Sequence, residues 1–304
     1  MLMTALETYL AMRRGMGFQL KADETYLRGF VAYATAHGDR FVVTRTAIDW
    51  ARVGVCEAQR KHRLGMVIRF ARFMHAEEPR HEIPPDGLFC GRRQRPRPYI
   101  FSDEEIQRLL MQARQLGPAG SLRPHTYSTL FGLLAVTGMR IAEARALYLD
   151  DITPDGLVVR EAKFHKQRLL ALHASTEQAL EQYLKRRLRI AGQDAHLFVS
   201  RRGGGLSHTV VAETFHEVLQ AAGIPSTPEG TRPRLMDLRH SFAVKTLLDC
   251  PGERDHVGRH MLALTTYLGH AKVDSTYWYL ESVPQLMTDI ARRCEAFLDG
   301  GSGS

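Results

Sequence analysis

Over the first 78 residues apolar side chains return every three or four positions, the period of helices that bury one face. Leu6, Tyr9, Leu10 and Arg13 open the first amphipathic run, and the second, around Glu24–Ala36, spaces Leu27, Phe30, Val31 and Ala34 the same way. Thr44 or Thr46 is placed to cap a short third helix through Arg52. A fourth, Glu57–Ala76, carries Leu64, Val67, Ile68, Ala71 and Met74 on one stripe, with Arg69 and Arg72 off it. Those two arginines are within reach of a phosphate, or are plain solvated charge on an amphipathic helix. No two-residue alternation interrupts the stretch, so residues 1–78 read as a small all-helical domain.

The periodicity breaks over residues 79–99. Pro79, Pro84, Pro85, Pro96 and Pro98 exclude a continuous helix, and Arg92, Arg93, Arg95 and Arg97 follow with no acid among them. The stretch reads as a proline-stiffened basic tether, suited to lie along a duplex backbone or to act as a soluble spacer. Beyond it Ser102 caps a helix to about Gln115 whose first turn holds Asp103, Glu104 and Glu105, where the helix dipole favours acids. Tyr127–Thr137 is apolar nearly all round and belongs in a core; Gly138 ends it and Ile141–Leu147 begins another helix.

Gly156–Glu161 and Arg168–His173 read as a β-hairpin with KFHKQ at its tip, and Leu197–Val199 as one further short strand. Helices are expected over Ser175–Ile190, His208–Ala222, Leu235–Leu248, Asp255–Leu268, Val273–Leu280 and Pro284–Leu298. Residues 100–300 therefore read as a mostly α-helical domain with a small β-sheet. The closing Gly-Ser-Gly-Ser at 301–304 reads as an appended tail outside the fold.

Charge narrows the partners. The 304 residues carry a net charge of +8, with a pI near 9.5, which favours a polyanion such as nucleic acid. Cys56, Cys90, Cys250 and Cys294 lack the spacing of a zinc knuckle or a disulfide framework and suit a reducing cytoplasm. No signal-peptide core and no run of membrane-spanning length is visible, so a cytoplasmic, nucleoid-associated protein is expected. Gly203–Gly205 lacks the Gly-Lys-Ser/Thr ending of a phosphate-binding loop, and no metal-ligand pattern occurs, so neither a nucleotide nor a metal cofactor is expected.

Single motifs here are ordinary. Thr137-Gly-Met-Arg140-Ile-Ala-Glu143 alone describes an ion pair at a helix start, and Arg239-His240 alone a hydrogen-bonded helix pair. Their ordered set is not ordinary: TGMRIAEA, the hairpin AKFHKQR, LMDLRHSFA, then YLGH with a tyrosine nine residues past its histidine. That set resembles the tyrosine recombinase (phage integrase) family over roughly residues 100–298, with residues 1–78 matching the family's core-binding domain in size and position.

The resemblance implies roles. Arg140 and Arg239 correspond to the two catalytic arginines, Glu143 to the acid accompanying the first, and His240 to the histidine after the second. Lys163 is the counterpart of the catalytic lysine, favoured over its neighbour Lys166. His270 matches the Gly-His histidine and Tyr279 the nucleophile. Where the family usually has His-x-x-Arg-His this chain has Met236, and a thioether neither exchanges protons nor donates a hydrogen bond. The implied activity is cleavage and rejoining of double-stranded DNA by a tetramer of protomers on two sites, without ATP or metal. A weakened recombinase-fold DNA-binding accessory of a partner recombinase is the alternative that Met236 raises; an enzyme of DNA relaxation or hairpin-end formation fits the spacing less well.

Overall fold

A computed structural model describes residues 2–91, 97–160, 167–192, 194–226, 230, 232–249 and 254–269. The chain forms two compact units, Met1–Arg95 and Pro96–Ser304. The first is four helices: α1 Leu2–Gly15, α2 Lys21–Ala36, α3 Thr44–Arg52 and α4 Glu57–Glu77. Helix α4 packs against the other three, and its whole stripe from Leu64 to Met74 is buried. Trp50 meets Phe30 edge-on at 5.5 Å, and the Arg63 guanidinium lies 4.0 Å over the Trp50 ring, covering the core's rim with a cation–π contact.

Neither Thr44 nor Thr46 caps α3. Val43 holds the cap position, and the Thr44 amide donates 2.7 Å to Glu82 from the segment after α4. The buried His81 likewise accepts from the Val42 amide at 3.1 Å, and Phe89 joins the core. The first part of the proline-rich stretch thus lies on this unit, supplying a cap that no local residue offers.

The second unit contains α5 Asp103–Ala113, α6 Arg123–Thr137, α7 Ile141–Arg145, α8 Ala174–Ala191, α9 His208–Ala221, α10 Leu235–Leu248 and α11 Arg254–Leu268. Helix α6 is central, packed on α5, α8 and α10, with Leu130, Phe131, Leu133 and Leu134 buried. It starts four residues before the apolar run because Pro124 suits the first turn, where a missing amide hydrogen costs nothing. Ser102 forms a full capping box with Glu105 on α5. A three-stranded antiparallel sheet, β1 Ile152–Thr153, β2 Gly156–Arg160 and β3 Gln167–Leu170, flanks the helices. Strand β3 ends at Leu170, short of the expected His173, because the His173 imidazole accepts from the Ser175 amide and caps α8. Leu197–Val199 forms no strand; single bridges pair Tyr148 with His196 and Val199 with Gly205. No described helix is long and apolar enough to cross a membrane.

Candidate active site

Gly138 closes α6 in the left-handed conformation, φ 59°, and the chain turns at once into α7 with Arg140 at its N-cap. A Cβ on Gly138 would lie 2.4 Å from the Phe242 ring, so the turn needs glycine twice over: for its φ and for its lack of a side chain. Glu143, one turn on, faces Arg140. Its Oε2 accepts from the Arg140 amide at 2.8 Å and its Oε1 from Arg140 Nη1 at 2.6 Å. Arg168, from β3, donates to the same carboxylate at 2.7 and 3.3 Å. Burial pushes the Glu143 carboxyl up, but bonds from Arg168 and Arg140 outweigh it and hold the group below its ordinary range. Glu143 is therefore an ionised anchor rather than a proton carrier.

The second arginine is more deeply set. Arg239, 3% exposed on α10, donates from Nη1 to the Gly138 carbonyl at 2.7 Å and from Nη2 to the Leu268 carbonyl at 2.6 Å. Arg140 Nη2 takes the next carbonyl, Gly269, at 2.8 Å. The two guanidiniums thus hold consecutive carbonyls at the C-terminus of α11, the negative end of its dipole. Arg239 also binds the carbonyl two residues ahead of Arg140. Three stretches far apart in sequence are tied at one point. Arg140 keeps a third of its side chain accessible, 33%, and is the more open of the two toward an incoming anion.

Asp237 sits in the first turn of α10, fully buried, taking the Arg234 amide at 2.7 Å and its guanidinium at 3.0 and 3.2 Å. Burial drives its pKa up despite that pairing. The contrast with Glu143 follows from supply: two guanidiniums meet Glu143, whereas Asp237 has one, itself 41% exposed. His240 Nε2 lies 4.0 Å from Asp237, with its side chain mostly covered. Met236 is 41% exposed on the same first turn, so its side chain is not part of the core. Just ahead of α5 the Phe101 amide donates to Ser241 Oγ at 2.8 Å, and Asp103 at the start of α5 pairs with Lys245, anchoring α10.

Of the residues singled out in the sequence, Arg140, Glu143, Arg239, His240 and Met236 fall in this region. Lys163, Lys166, His270 and Tyr279 lie outside the described residues, as do Arg92, Arg93 and Arg95 and the helices expected at 273–280 and 284–298. Arg97, Arg69 and Arg72 are exposed, and Arg69 stands 3.5 Å from Asp23 in the first unit. Arg168 escaped the sequence reading, although an arginine on the inward register of a strand is a signal that some acid must meet it. Among the described residues no cluster of His, Cys, Asp and Glu is arranged to hold a metal.

Comparison with known proteins places these features in a family. Residues 100–285 match the model of the phage integrase family. A putative integrase/recombinase, y4rB, of Sinorhizobium fredii is 41% identical over 302 residues, covering 96% of each chain. The crystal structure of the XerH site-specific recombinase on its palindromic difH substrate, a post-cleavage complex, superposes with a TM-score of 0.66 at 18% identity, over 88% of this chain and 77% of that one. A lambda integrase tetramer on a Holliday junction gives a TM-score of 0.60 at 18% identity, over 89% and 77%.

Proposed function

The chain belongs to the phage integrase family, the tyrosine recombinases, and from that premise we propose that it cuts and rejoins DNA at specific sites through a 3′-phosphotyrosyl intermediate. The observation that carries the reading is the pair of guanidiniums, Arg140 and Arg239, gathered on consecutive carbonyls at the end of α11. Planar guanidinium forks suit the two non-bridging oxygens of a phosphodiester, where charge grows as phosphorus becomes pentacoordinate. Donors fixed before the reaction need no reorganisation, and removing one commonly costs roughly 3 kcal/mol in the barrier.

In this reading the Tyr279 oxygen attacks phosphorus and releases its proton to solvent, while the P–O5′ bond breaks and the 5′ oxygen departs with a proton from Lys163. The bond energy stays in the phosphotyrosyl link, so rejoining is the same step reversed. A phenol of pKa ~10 attacks slowly at neutral pH without a base or a positive field. His270 donates to the phosphate. Met236 stands where a proton-accepting histidine would help, and its absence costs on the order of 10²-fold. Integration, excision or transposition of a mobile element, performed by four protomers on two DNA sites, is the setting this chemistry fits. The two units on a basic tether grip the duplex largely through phosphates, so affinity falls steeply with salt.

Met236 favours a second reading, a DNA-binding accessory that leaves chemistry to a partner recombinase. Both are tested with a nicked suicide duplex bearing a site selected from random DNA by the protein itself. A covalent adduct in the wild type that Tyr279→Phe abolishes supports the enzyme. Tight, sequence-specific binding with no adduct supports the accessory. Met236→His is expected to speed adduct formation by up to ~10²-fold at unchanged affinity; an unchanged rate places residue 236 outside the reacting centre.

A further inference from the structure

We propose that Arg168 is a positioning residue of this site, acting through Glu143 to fix Arg140 and to keep the region positive; the inference rests on the recombinase reading above. The sheet register carries the first part of the argument. Arg168 pairs with Val159 and Leu170 with Leu157, and Val159, Leu157 and Leu170 are all buried. Directly opposed residues share a face, so Arg168 occupies a core-facing position on β3 between exposed Gln167 and Leu169. A charge in such a register is costly unless it is met in full. Its side chain is 14% exposed, and Glu143, 9% exposed, meets it with both oxygens.

The carboxylate is thereby saturated. Two oxygens accept four donors: the Arg140 amide, Arg140 Nη1, and Nη1 and Nη2 of Arg168. With Arg168 in place, Glu143 cannot swing without breaking bonds to both arginines and to the N-cap of α7. Arg140 is then held by Glu143 on one side and by the Gly269 carbonyl on the other. The second part is charge. Arg140 and Glu143 sum to zero, which leaves Arg239 as the remaining positive charge of the two arginines. Arg168 restores the positive charge that Glu143 cancels. It also ties the base of the β2–β3 hairpin, the element that leads to Lys163, to the helix start that carries Arg140.

The test compares wild type, Arg168→Gln, Arg168→Lys, Glu143→Gln and the Arg168→Gln/Glu143→Gln double variant on the same suicide duplex at saturating DNA. Adduct rate, duplex Kd and Tm are read for each. Arg168→Gln is expected to lower the adduct rate roughly 10–100-fold, the size of effect that misplacing a reacting group produces, with Kd within about twofold. Arg168→Lys, which keeps the charge but loses the two-pronged contact, falls between. In the Glu143→Gln background the loss of Arg168 adds little, because the effect runs through that carboxylate.

A purely structural role would lower Tm and rate in step and would leave the two substitutions multiplicative, and either result overturns the proposal. So does a wild-type rate in Arg168→Gln. If that variant does not fold, Arg168→Lys decides: a several-fold slower rate at unchanged Kd supports the proposal, and a wild-type rate overturns it. A wild-type protein that forms no adduct overturns the recombinase reading itself, an outcome distinct from an active wild type indifferent to residue 168.

Discussion

Replacing Gly138 with alanine perturbs the turn on which both arginines depend. The residue has φ 59°, and its missing Cβ would stand 2.4 Å from Phe242 Cδ1 and 3.0 Å from Cγ. The left-handed conformation costs a residue with a Cβ roughly 1–2 kcal/mol. Forcing the ring aside adds roughly 1–3 kcal/mol of overpacking. Phe242 has little room to yield, being stacked on Tyr267 at 5.7 Å. The sum is about 2–5 kcal/mol. For a unit of this size each kcal/mol moves Tm by about 2–4 °C, so a fall of roughly 4–20 °C is expected in the calorimetric transition of the second unit.

A double-mutant cycle separates the two causes. In a Phe242→Leu background the Gly138→Ala penalty is expected to shrink to its backbone part, ~1–2 kcal/mol. The Gly138 carbonyl also accepts from Arg239, so adduct formation falls beyond what the unfolded fraction explains. A Gly138→Ala protein melting within ~2 °C of wild type would refute the reasoning, since that is under ~1 kcal/mol. An equal penalty in both backgrounds would remove the clash from the account and leave the backbone alone.

Two other predictions concern the glycine loop and the helix beside it. Arg187 is fully buried and donates to the carbonyls of Gly192, Asp194 and His196, so Arg187→Met leaves three acceptors unmet. The midpoint of denaturant unfolding should fall by the equivalent of about 3 kcal/mol, and a loss below ~1 would show that water replaces the guanidinium. Asp194 accepts from the His196 amide at 2.9 Å, the His196 ring at 2.9 Å and the Gly204 amide at 2.5 Å, which lower its pKa to about 2. A depressed carboxyl stabilises the fold above its ordinary value of 3.8, and the contribution disappears as pH falls through about 2. Amide-exchange protection at Gly204 should therefore persist at pH 4 and vanish toward pH 2, whereas loss already at pH 5 would contradict the assigned bonds.

Much of the secondary structure was legible locally. Helix α10 has the bounds its pattern indicated, Leu235–Leu248, and the capping box follows from Ser102 and Glu105, three positions apart. Failures occurred where a distant group intervened. Thr44 looked like a cap, but Glu82 reached the free amide from 38 residues away. His173 looked like strand and serves a helix start instead. Gly203 and Gly204 both have positive φ, and Asp194 and Ser200, which no local pattern singles out, hold their loop.

The order of residues alone was enough to establish a helical two-part chain and the family motif, because periodicity and spacing record which face of each element is apolar and which residues recur together. Beyond the Arg140–Glu143 pair at a helix start, it was silent on how the site is held. That Arg239 is buried on two carbonyls, that Arg140 and Arg239 divide consecutive peptide groups of α11, and that Arg168 completes Glu143 were decided by packing. These contacts join residues 25 to 129 positions apart. Hydrogen-bond partners at such separations are selected by which elements meet, and a carbonyl acceptor has no side chain by which the sequence could announce it.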